Sequence, residues 1–271
     1  MRLAVEHVTR YEFAQPVKHG LQRLRLTPKN TQGQKILTWD MELAGGRIEV
    51  EYDDHNHNRT ALISVEPGTR VLEVHCRGTV NTADNAGVIG HHSGHMPLWS
   101  FLAQTALTRP GPKLRSIISS LTAPRDETLA LLHELSATVL EQVPYTAGET
   151  GVHTTAEEAA ALGKGVCQDH VHIFLGAARA LGIPARYVSG YLMMNDRVDQ
   201  EATHAWAEAH VDMLGWVGFD VSNRISPDER YVRVATGRDY GEAAPITGLS
   251  YGAGETVLEV RLAVEQQRIE Q

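Results

Sequence analysis

The sequence predicts an α+β fold in which an antiparallel β-sandwich is followed by a part made of helices and then strands. The first third of the 271 residues consists of short alternating runs between turn formers, which is typical of antiparallel strands. The middle shows apolar residues at three- and four-residue spacing, which indicates helices. Strand-like runs return after residue 184. Helices first and strands second favour an α+β arrangement for this part.

The first 88 residues predict a sandwich of about six strands. Turn-forming pairs such as Gly45-Gly46 and Pro67-Gly68 separate the runs. The predicted strands span residues 3–13, 22–26, 37–43, 47–52, 60–65 and 70–80. Composition changes in the Gly/His-rich stretch 87–97, so we expect a first domain over residues 1–88 and a second over 89–271.

The helical part of the second domain is predicted in four segments. Periodic apolar residues indicate helices over 97–106 and 125–142. Thr155 and Glu158 have the spacing of a capping box, which predicts a short helix that reaches residue 162. A further helix is expected from Cys167 to residue 181, because Gly182 and Pro184 follow in the order typical of a helix end.

Three strands are expected after this helix, over residues 185–194, 203–211 and 216–221. The last two are separated by a tight turn at 212–215, which predicts a hairpin. A final strand over 256–264 is expected to return and pack on one of the two domains.

Composition and charge exclude several classes of function. The net charge of −8, the sequence pI near 5.9 and the lack of a Lys/Arg-rich run provide no basic surface for nucleic acid. The sequence contains no apolar stretch near the ~18 residues of a membrane span, and its N-terminus has no apolar run of signal-peptide length. We therefore expect a cytoplasmic protein that binds neither nucleic acid nor membrane, and the oligomeric state stays open.

Cys76 and Cys167 are too few for a disulfide framework, so both are predicted to be free thiols. Cys167 lies where a glycine-flanked turn meets the first turn of an apolar helix. Unpaired backbone N–H groups at a helix N-terminus favour a thiolate, so this cysteine is a candidate nucleophile. A small buried hydrophobic residue is the alternative, because free cysteines are among the most buried residue types.

His204 and Asp220 are the candidate partners of Cys167. His204 shares one face of a predicted strand with Trp206 and Glu208. The hairpin turn folds the next strand back, so that a residue near position 220 lies across from His204. A carboxylate beside an imidazole fixes its tautomer and stabilises its charged form, and the imidazole can then deprotonate a thiol. Each signal alone is weak, but together they indicate a cysteine triad.

Several segments of the chain resemble the bacterial transglutaminase-like superfamily. The core motifs are GVCQD at 165–169, LGIPARYVSGY at 181–191, HAW at 204–206 and GWVGFD at 215–220. The N-terminal half resembles the sandwich domain that precedes this core in bacterial members, through Tyr11, Pro16-Val17 and LRLTP at 24–28. GRDY at 237–240 and APITG at 244–248 are similar to the family's C-terminal segment. The resemblance implies a papain-like, transglutaminase-like α+β catalytic domain behind the sandwich.

By this resemblance, Cys167 forms a thioester with a glutamine or other amide group of a peptide or protein, His204 shuttles protons and Asp220 orients His204. The acyl group then passes to an amine, or to water as in a cysteine protease or amidohydrolase, and the residues do not separate these outcomes. A catalytically silent binding module is the remaining alternative. The resemblance implies no cofactor and no metal. The oxyanion requires two donors, of which the Cys167 backbone N–H is one candidate.

Three neighbours of the candidate triad are assigned mostly structural roles. His170 lies three residues along the helix from Cys167 and is a weaker candidate for the base, because a residue of the same helix lacks the strand-borne carboxylate. Asp169 is expected to bind nearby backbone or Arg186. Trp206 either walls the substrate channel or fills the core.

Histidine-rich segments and two departures from the family pattern complete the prediction. His55, His57, His91, His92 and His95 lack accompanying cysteines or carboxylates at ligand spacing, so a zinc site is not expected, and a solvated connector accounts for His91, His92 and His95. The sequence VSN at 221–223 replaces the family's usual Pro-Thr-Asn, and His57 stands where a turn glycine is common. Both departures concern local turn geometry rather than chemistry.

Overall fold

The structure of the protein is a computed structural model that describes residues 1–195, 197–200 and 202–267. Strands occupy the N-terminal third and most of the last third, and the helices lie between them. The predicted α+β class with an N-terminal antiparallel sandwich is confirmed.

Six strands form in the first 88 residues, and each contains or overlaps one predicted run. They are β1 (Arg2–Phe13), β2 (His19–Thr27), β3 (Gln34–Ala44), β4 (Gly46–Asp53), β5 (Arg59–Val65) and β6 (Val71–Thr82). Burial alternates along β1, where Leu3, Val5 and His7 face inward. This period of two explains why the sequence pattern located these strands.

The middle of the chain contains a short strand, a 3₁₀ turn and four helices. In order they are β7 (Val88–Gly90), the 3₁₀ turn Leu98–Leu102, α1 (Pro112–Ser120), α2 (Thr128–Gln142), α3 (Ala156–Leu162) and α4 (Cys167–Ala180). The predicted helix over 97–106 was wrong beyond the 3₁₀ turn. The Thr105 N–H donates to the Thr108 hydroxyl oxygen at 3.0 Å, and this local bond competes with helix formation.

Helix α1 was missed by the sequence analysis because its N-terminal partner is distant in the chain. The carboxylate of Glu157, in α3, accepts the N–H groups of Gly111 at 2.9 Å, Lys113 at 2.7 Å and Leu114 at 3.1 Å. These are donors that a helix leaves unpaired at its start. A cap supplied by another helix produces no local sequence pattern.

The last third consists of strands and one short helix. They are β8 (Ala185–Leu192), β9 (Asp199–Gln200), β10 (His204–Val211), β11 (Gly215–Phe219), β12 (Tyr231–Gly237), α5 (Tyr240–Ala243), β13 (Ile246–Tyr251) and β14 (Thr256–Gln266). The predicted strands over 185–194, 203–211 and 216–221 correspond to β8, β10 and β11. The sequence analysis missed β12, whose seven residues are all buried.

The strands form three sheets, and the C-terminal strands join the N-terminal ones. One sheet has the order β3-β6-β1-β14-β9, the second β12-β8-β10-β11-β7 and the third β13-β2-β5-β4. The predicted final strand therefore returns to the sandwich, where β14 pairs with β1. The division of domains at residue 88 stays a prediction, since β13 and β14 pair with strands that precede it.

A shared core and polar contacts connect the sandwich to the sheet that carries the site. Leu3 and Val80 of the sandwich pack in one cluster with Tyr191 and Val232. The side-chain amide of Gln34 accepts the N–H of Arg233 at 2.7 Å and donates to its carbonyl oxygen at 2.8 Å. The sandwich therefore holds the backbone of β12 in place.

The helices are shorter than a membrane span. The longest in the described part of the chain, α2, has 15 residues, and none there is both long and apolar enough to cross a bilayer.

Candidate active site

Cys167 is the first residue of α4, and Asp169 fixes the turn before it. Oδ2 of Asp169 accepts the Val166 N–H at 2.8 Å and the Thr150 hydroxyl at 2.6 Å. Gly165 suits this turn, because a Cβ there would lie 2.8 Å from the Cβ of Asp169. Asp169 thus bonds to nearby backbone, one of its two predicted structural roles.

The two cysteines have different environments. Both are unpaired, and Cys76 is buried in the sandwich whereas Cys167 is only partly buried. Burial raises the pKa of the Cys76 thiol to about 12, which makes it inert at neutral pH. Cys167 lies at the N-terminal end of α4, where backbone N–H groups without intrahelical acceptors favour negative charge. Of the two thiols, Cys167 is the one whose surroundings suit a nucleophile.

His204 lies between Cys167 and Asp220. Its Nε2 is 2.6 Å from Oδ2 of Asp220, and the Cys167 side chain is near enough to the same imidazole to raise its pKa. Because Nε2 is occupied by Asp220, Nδ1 is the nitrogen left for the thiol. His204 is the first residue of β10 and pairs with Gly190, where a Cβ would lie 2.2 Å from the Val232 carbonyl oxygen. The structure therefore brings the three predicted residues together, and their catalytic roles stay a prediction.

Asp220 reaches His204 from just beyond the predicted hairpin position. The register of β10 and β11 pairs Ala207 with Phe219, so continuing it places Asp220 beside Trp206 rather than directly opposite His204. Backbone hydrogen bonds between Asp220 and Ile225 turn the chain at the end of β11. The Asp220 side chain reaches from this position to the imidazole of His204.

Two further side chains bond to Asp220, and the sequence analysis identified neither. The Tyr231 hydroxyl donates to Oδ2 at 2.6 Å and the Asn223 side-chain amide donates to it at 2.8 Å. The Asn223 N–H also donates to Oδ1 at 3.2 Å. Asn223 belongs to the VSN turn at 221–223, which the comparison with the family pattern had already identified, so the sequence did contain a signal for it. Tyr231 lies on the missed strand β12, and no local pattern connected it to Asp220.

These contacts set the charges of the pair. Burial by itself lowers the pKa of His204, but the charge and hydrogen bond of Asp220, together with the interaction of the imidazolium with the Cys167 sulfur, outweigh it and raise the pKa to about 10. Burial by itself raises the pKa of Asp220, but His204, Asn223 and Tyr231 outweigh it and hold the pKa below its ordinary value. At neutral pH the site thus favours an imidazolium beside a carboxylate, the state that stabilises a neighbouring thiolate.

His170 is engaged elsewhere. Its Nε2 donates to the Val143 carbonyl oxygen at 2.7 Å, and the Ser222 hydroxyl lies 2.8 Å from its Nδ1. Burial lowers the pKa of His170, which agrees with a neutral ring that accepts from Ser222. Both nitrogens are therefore used, and His204 is the histidine whose pKa responds to Cys167.

Aromatic side chains enclose the histidine and flank the cysteine. Trp206 is 1% exposed, and its ring centre lies 6.3 Å from that of His204 and 5.3 Å from that of Tyr231, so it fills the core rather than walling a channel. Tyr145 is 55% exposed, and its pKa is raised by burial and by the charge of Cys167. Tyr145 also pairs with Gly165 in an isolated bridge, two residues before Cys167.

The histidine-rich segments make protein contacts. His92 accepts the indole N–H of Trp216 at 3.1 Å and donates to the Met96 carbonyl oxygen at 2.7 Å. His57 stacks on His95 with ring centres 4.8 Å apart and adopts a positive φ of 57°, as the missing turn glycine had indicated. Within the described residues, no group of three His, Cys, Asp or Glu side chains is arranged to hold a metal ion.

Two stretches of the chain match known families. Residues 115–221 match the transglutaminase-like superfamily, and residues 3–81 match the bacterial transglutaminase-like N-terminal region. The first match contains Cys167, His204 and Asp220. Together the two matches confirm the resemblance that the motifs had indicated.

Relatives and solved structures extend the similarity over the whole chain. An uncharacterized protein of Mycobacterium leprae is 27% identical over 276 residues, which cover 96% of each chain. An uncharacterized protein of Mycobacterium tuberculosis is 26% identical, and the match covers 97% of this chain and 92% of that one. A crystal structure of a Cytophaga hutchinsonii protein provisionally assigned as a cysteine protease has a TM-score of 0.75 at 22% identity, over 100% of this chain and 92% of its own. That likeness shows the shared fold.

Proposed function

The chain carries a transglutaminase-like core behind a bacterial transglutaminase-like N-terminal region, and on this premise we propose that it is a cysteine enzyme that transfers acyl groups from amides of peptides or proteins. The observation that carries the proposal is the position of His204, which bonds to Asp220 through Nε2 and lies near enough to Cys167 for the two side chains to interact. A histidine oriented by a carboxylate and in contact with a thiol is the arrangement that activates a nucleophilic cysteine.

The first half-reaction follows from this geometry. The Cys167 thiolate attacks the amide carbonyl carbon and forms a C–S bond, while the carbonyl oxygen gains the negative charge. The C–N bond then breaks, the His204 imidazolium gives its proton to the departing nitrogen, and ammonia or an amine leaves a thioester on Cys167. Asp220 remains ionised and stabilises His204 throughout. The Cys167 backbone N–H is the donor that we assign to the oxyanion.

The second half-reaction regenerates the thiolate. The nitrogen of the incoming amine, or the oxygen of water, bonds to the thioester carbon while His204 takes a proton from it. The C–S bond then breaks. Transfer to an amine and hydrolysis differ only in this acceptor, so both are outcomes of the same site. We propose the amine as acceptor because the core matches the transglutaminase-like superfamily.

The acceptor is tested with a glutamine peptide and a labelled primary amine, while released ammonia and new carboxylate are measured. Label in the peptide identifies a transferase, and new carboxylate without label identifies a hydrolase. Cys167→Ala is expected to abolish ammonia release, whereas the matched control Cys76→Ala retains it. Release that continues unchanged in Cys167→Ala contradicts the proposal, and complete absence of release with any amide donor favours a silent binding module.

Activation of the thiol is tested separately from turnover. Iodoacetamide is expected to alkylate Cys167 near pH 7 faster in the wild-type protein than in His204→Ala, because the imidazolium stabilises the thiolate. Mass spectrometry locates the modified cysteine. Equal rates in the two proteins contradict the role of His204. A cytoplasmic location and a peptide or protein amide as substrate remain part of the proposal.

A further inference from the structure

A cleft of about 150 Å³ lies between the sandwich and the residues that flank the candidate active site. Thr203, which lines it, directly precedes His204. Tyr240 also lines it and packs on the same hydrophobic core as Cys167. The wall of the cleft therefore includes the residue next to the candidate base and a residue that packs on the core of the candidate active site.

The opposite wall of the cleft comes from the sandwich. Thr9 and Tyr11 of β1 line it, together with Val260 and Leu258 of β14, which pair with them in register. Leu258 is 54% exposed, so the cleft opens to solvent at this end. An apolar wall held open to water beside a candidate active site is typical of a binding subsite.

The described residues of the cleft carry no charge at neutral pH. None of them is Asp, Glu, Lys or Arg. Both ring nitrogens of His7 are bonded, Nδ1 to the Tyr191 hydroxyl and Nε2 to the Thr9 hydroxyl, each at 3.0 Å, and burial lowers its pKa to about 4. Burial, and then Tyr240, raise the pKa of Tyr11 to about 12. A charged group that entered this cleft would lose its water without gaining a counter-charge, which is unfavourable.

The volume of the cleft suits one side chain. A cavity of about 150 Å³ has room for a single benzene ring. We propose that this cleft binds one uncharged aromatic or branched aliphatic side chain of the acyl donor, next to the reacting amide. This inference rests on the proposed function, because it takes the occupant to be part of the substrate of Cys167. It assigns to the sandwich a direct part in substrate selection.

Two panels of peptides test the cleft. The first contains a glutamine preceded or followed by Phe, Leu, Gly, Glu or Lys, and ammonia release gives kcat/KM for each peptide. The second replaces the glutamine side-chain amide by a chloromethyl ketone, which alkylates Cys167 with loss of chloride and needs no turnover. In the wild-type protein, kcat/KM in the first panel and the alkylation rate in the second are expected to be about tenfold or more higher with Phe than with Gly at one of the two positions.

Variants of β14 connect this selectivity to the cleft. Val260→Phe fills it and is expected to bring the Phe-to-Gly ratio close to one. Leu258→Lys places a cation at the exposed end of the cleft and is expected to raise the rate with the Glu peptides relative to the Phe peptides. Val257 lies on the other face of β14 and is 63% exposed, so Val257→Phe and Val257→Lys are the matched controls and should keep the wild-type ratios.

The outcomes separate the two proposals. Selective alkylation without ammonia release from any glutamine peptide contradicts the acyl-transfer proposal and supports the cleft. Ammonia release at rates that do not depend on the neighbouring residue overturns the cleft and leaves the acyl-transfer proposal standing. If Val260→Phe does not fold, the exposed Leu258→Lys decides the question, because unchanged ratios in that variant also overturn the cleft.

Discussion

The Asp220 carboxylate accepts hydrogen bonds from three side chains that come from three different segments. His204 starts β10, Asn223 lies in the turn after β11, and Tyr231 starts β12. Hydrogen bonds to an ionised carboxylate favour the charged form, which burial alone would disfavour. The orientation of His204 therefore depends on residues that never touch the thiol.

Replacing Asp220 by Asn is expected to change how stability depends on pH. In the wild-type protein the pKa of His204 rises from 6.5 to about 10, so the folded state binds this proton more tightly than the unfolded state. The resulting stability is fully present below pH 6.5 and is lost as the pH rises through about 10. Urea unfolding of both proteins between pH 6 and pH 10.5 should show the stability advantage of wild type shrinking over this range. A constant difference contradicts the pairing.

Tyr231→Phe removes one donor to Asp220 and keeps the ring that packs on Trp206. A hydrogen bond to a charged group contributes about 1.5–3 kcal/mol, so we expect kcat to fall roughly tenfold or more while KM changes little. The pH dependence of Cys167 alkylation should shift as well, which loss of packing alone would not cause. The exposed Tyr251→Phe is the control. An unchanged kcat and alkylation profile would show that Tyr231 does not position Asp220.

The sequence could predict the three candidate residues but not the donors around Asp220. Cys167 follows a glycine turn, and His204 and Asp220 flank a hairpin, so each is identified by neighbours in the chain. In the sheet, β8 lies between β12 and β10, and β11 lies on the other side of β10. Tyr231 becomes adjacent to Asp220 only through this strand order. Contacts that depend on strand order leave no trace in local spacing.

At the scale of elements, one buried carboxylate joins the strands β8, β10 and β12. Glu208 is fully buried and pairs in register with Arg186, whose Nε lies 2.6 Å from its carboxylate. The Arg233 Nε donates to Glu208 at 2.6 Å from the other side. Arg186 also stacks over Trp216 at 3.9 Å. This pairing, rather than the predicted alternative of Asp169, is where Arg186 is bound.

Glu208→Gln is expected to destabilise the fold by about 3–5 kcal/mol, because two buried guanidinium groups lose their counter-charge. Burial by itself raises the pKa of Glu208, but Arg186 and Arg233 lower it to about 2, so its contribution is present above pH 4.5 and lost as the pH falls through about 2. Urea unfolding at pH 7 and at lower pH should show both effects. Glu259→Gln, on the surface of β14, should change stability by less than about 0.5 kcal/mol. Similar losses for the two variants contradict the prediction.

Sequence patterns identified elements whose stability is local and missed those that depend on a distant partner. The capping box of α3 is present in the structure as the spacing of Thr155 and Glu158 had indicated. Helix α1 is capped by Glu157, and the arginine inside β12 is neutralised by Glu208. In the sequence, a charged residue such as Arg233 favours a loop over a buried strand. Its place in a fully buried strand is explained only when its partner is known.

At the scale of the whole molecule, the C-terminal strands complete the sandwich. β14 pairs with β1 from Leu3–Gln266 to Phe13–Thr256, and β13 pairs with β2. Without them, the long strands β1 and β2 would become edge strands of their sheets, and exposed edges promote aggregation. The sequence indicated that a strand returns but could not say to which part.

A chain that ends at residue 244 is therefore expected to aggregate or to lose cooperative unfolding, although it keeps all three candidate catalytic residues. A chain that ends at residue 267 retains β14 and serves as the control. Soluble yield, size-exclusion chromatography and thermal unfolding measure the difference. A shorter chain that unfolds cooperatively at the temperature of the control would show that β13 and β14 are dispensable, and would favour an independent sandwich over residues 1–88.

The bond between Gln34 and the backbone of Arg233 has a consequence for any attempt to use the core as a module. Arg233 lies two residues from Tyr231, so a side chain of the sandwich anchors the strand that supplies a donor to Asp220. A gene fusion that transplanted residues 115–221 alone would carry the nucleophile, the base and the carboxylate, but neither the tyrosine nor its anchor. Recombination between relatives should preserve function only when the sandwich and the core come from the same parent.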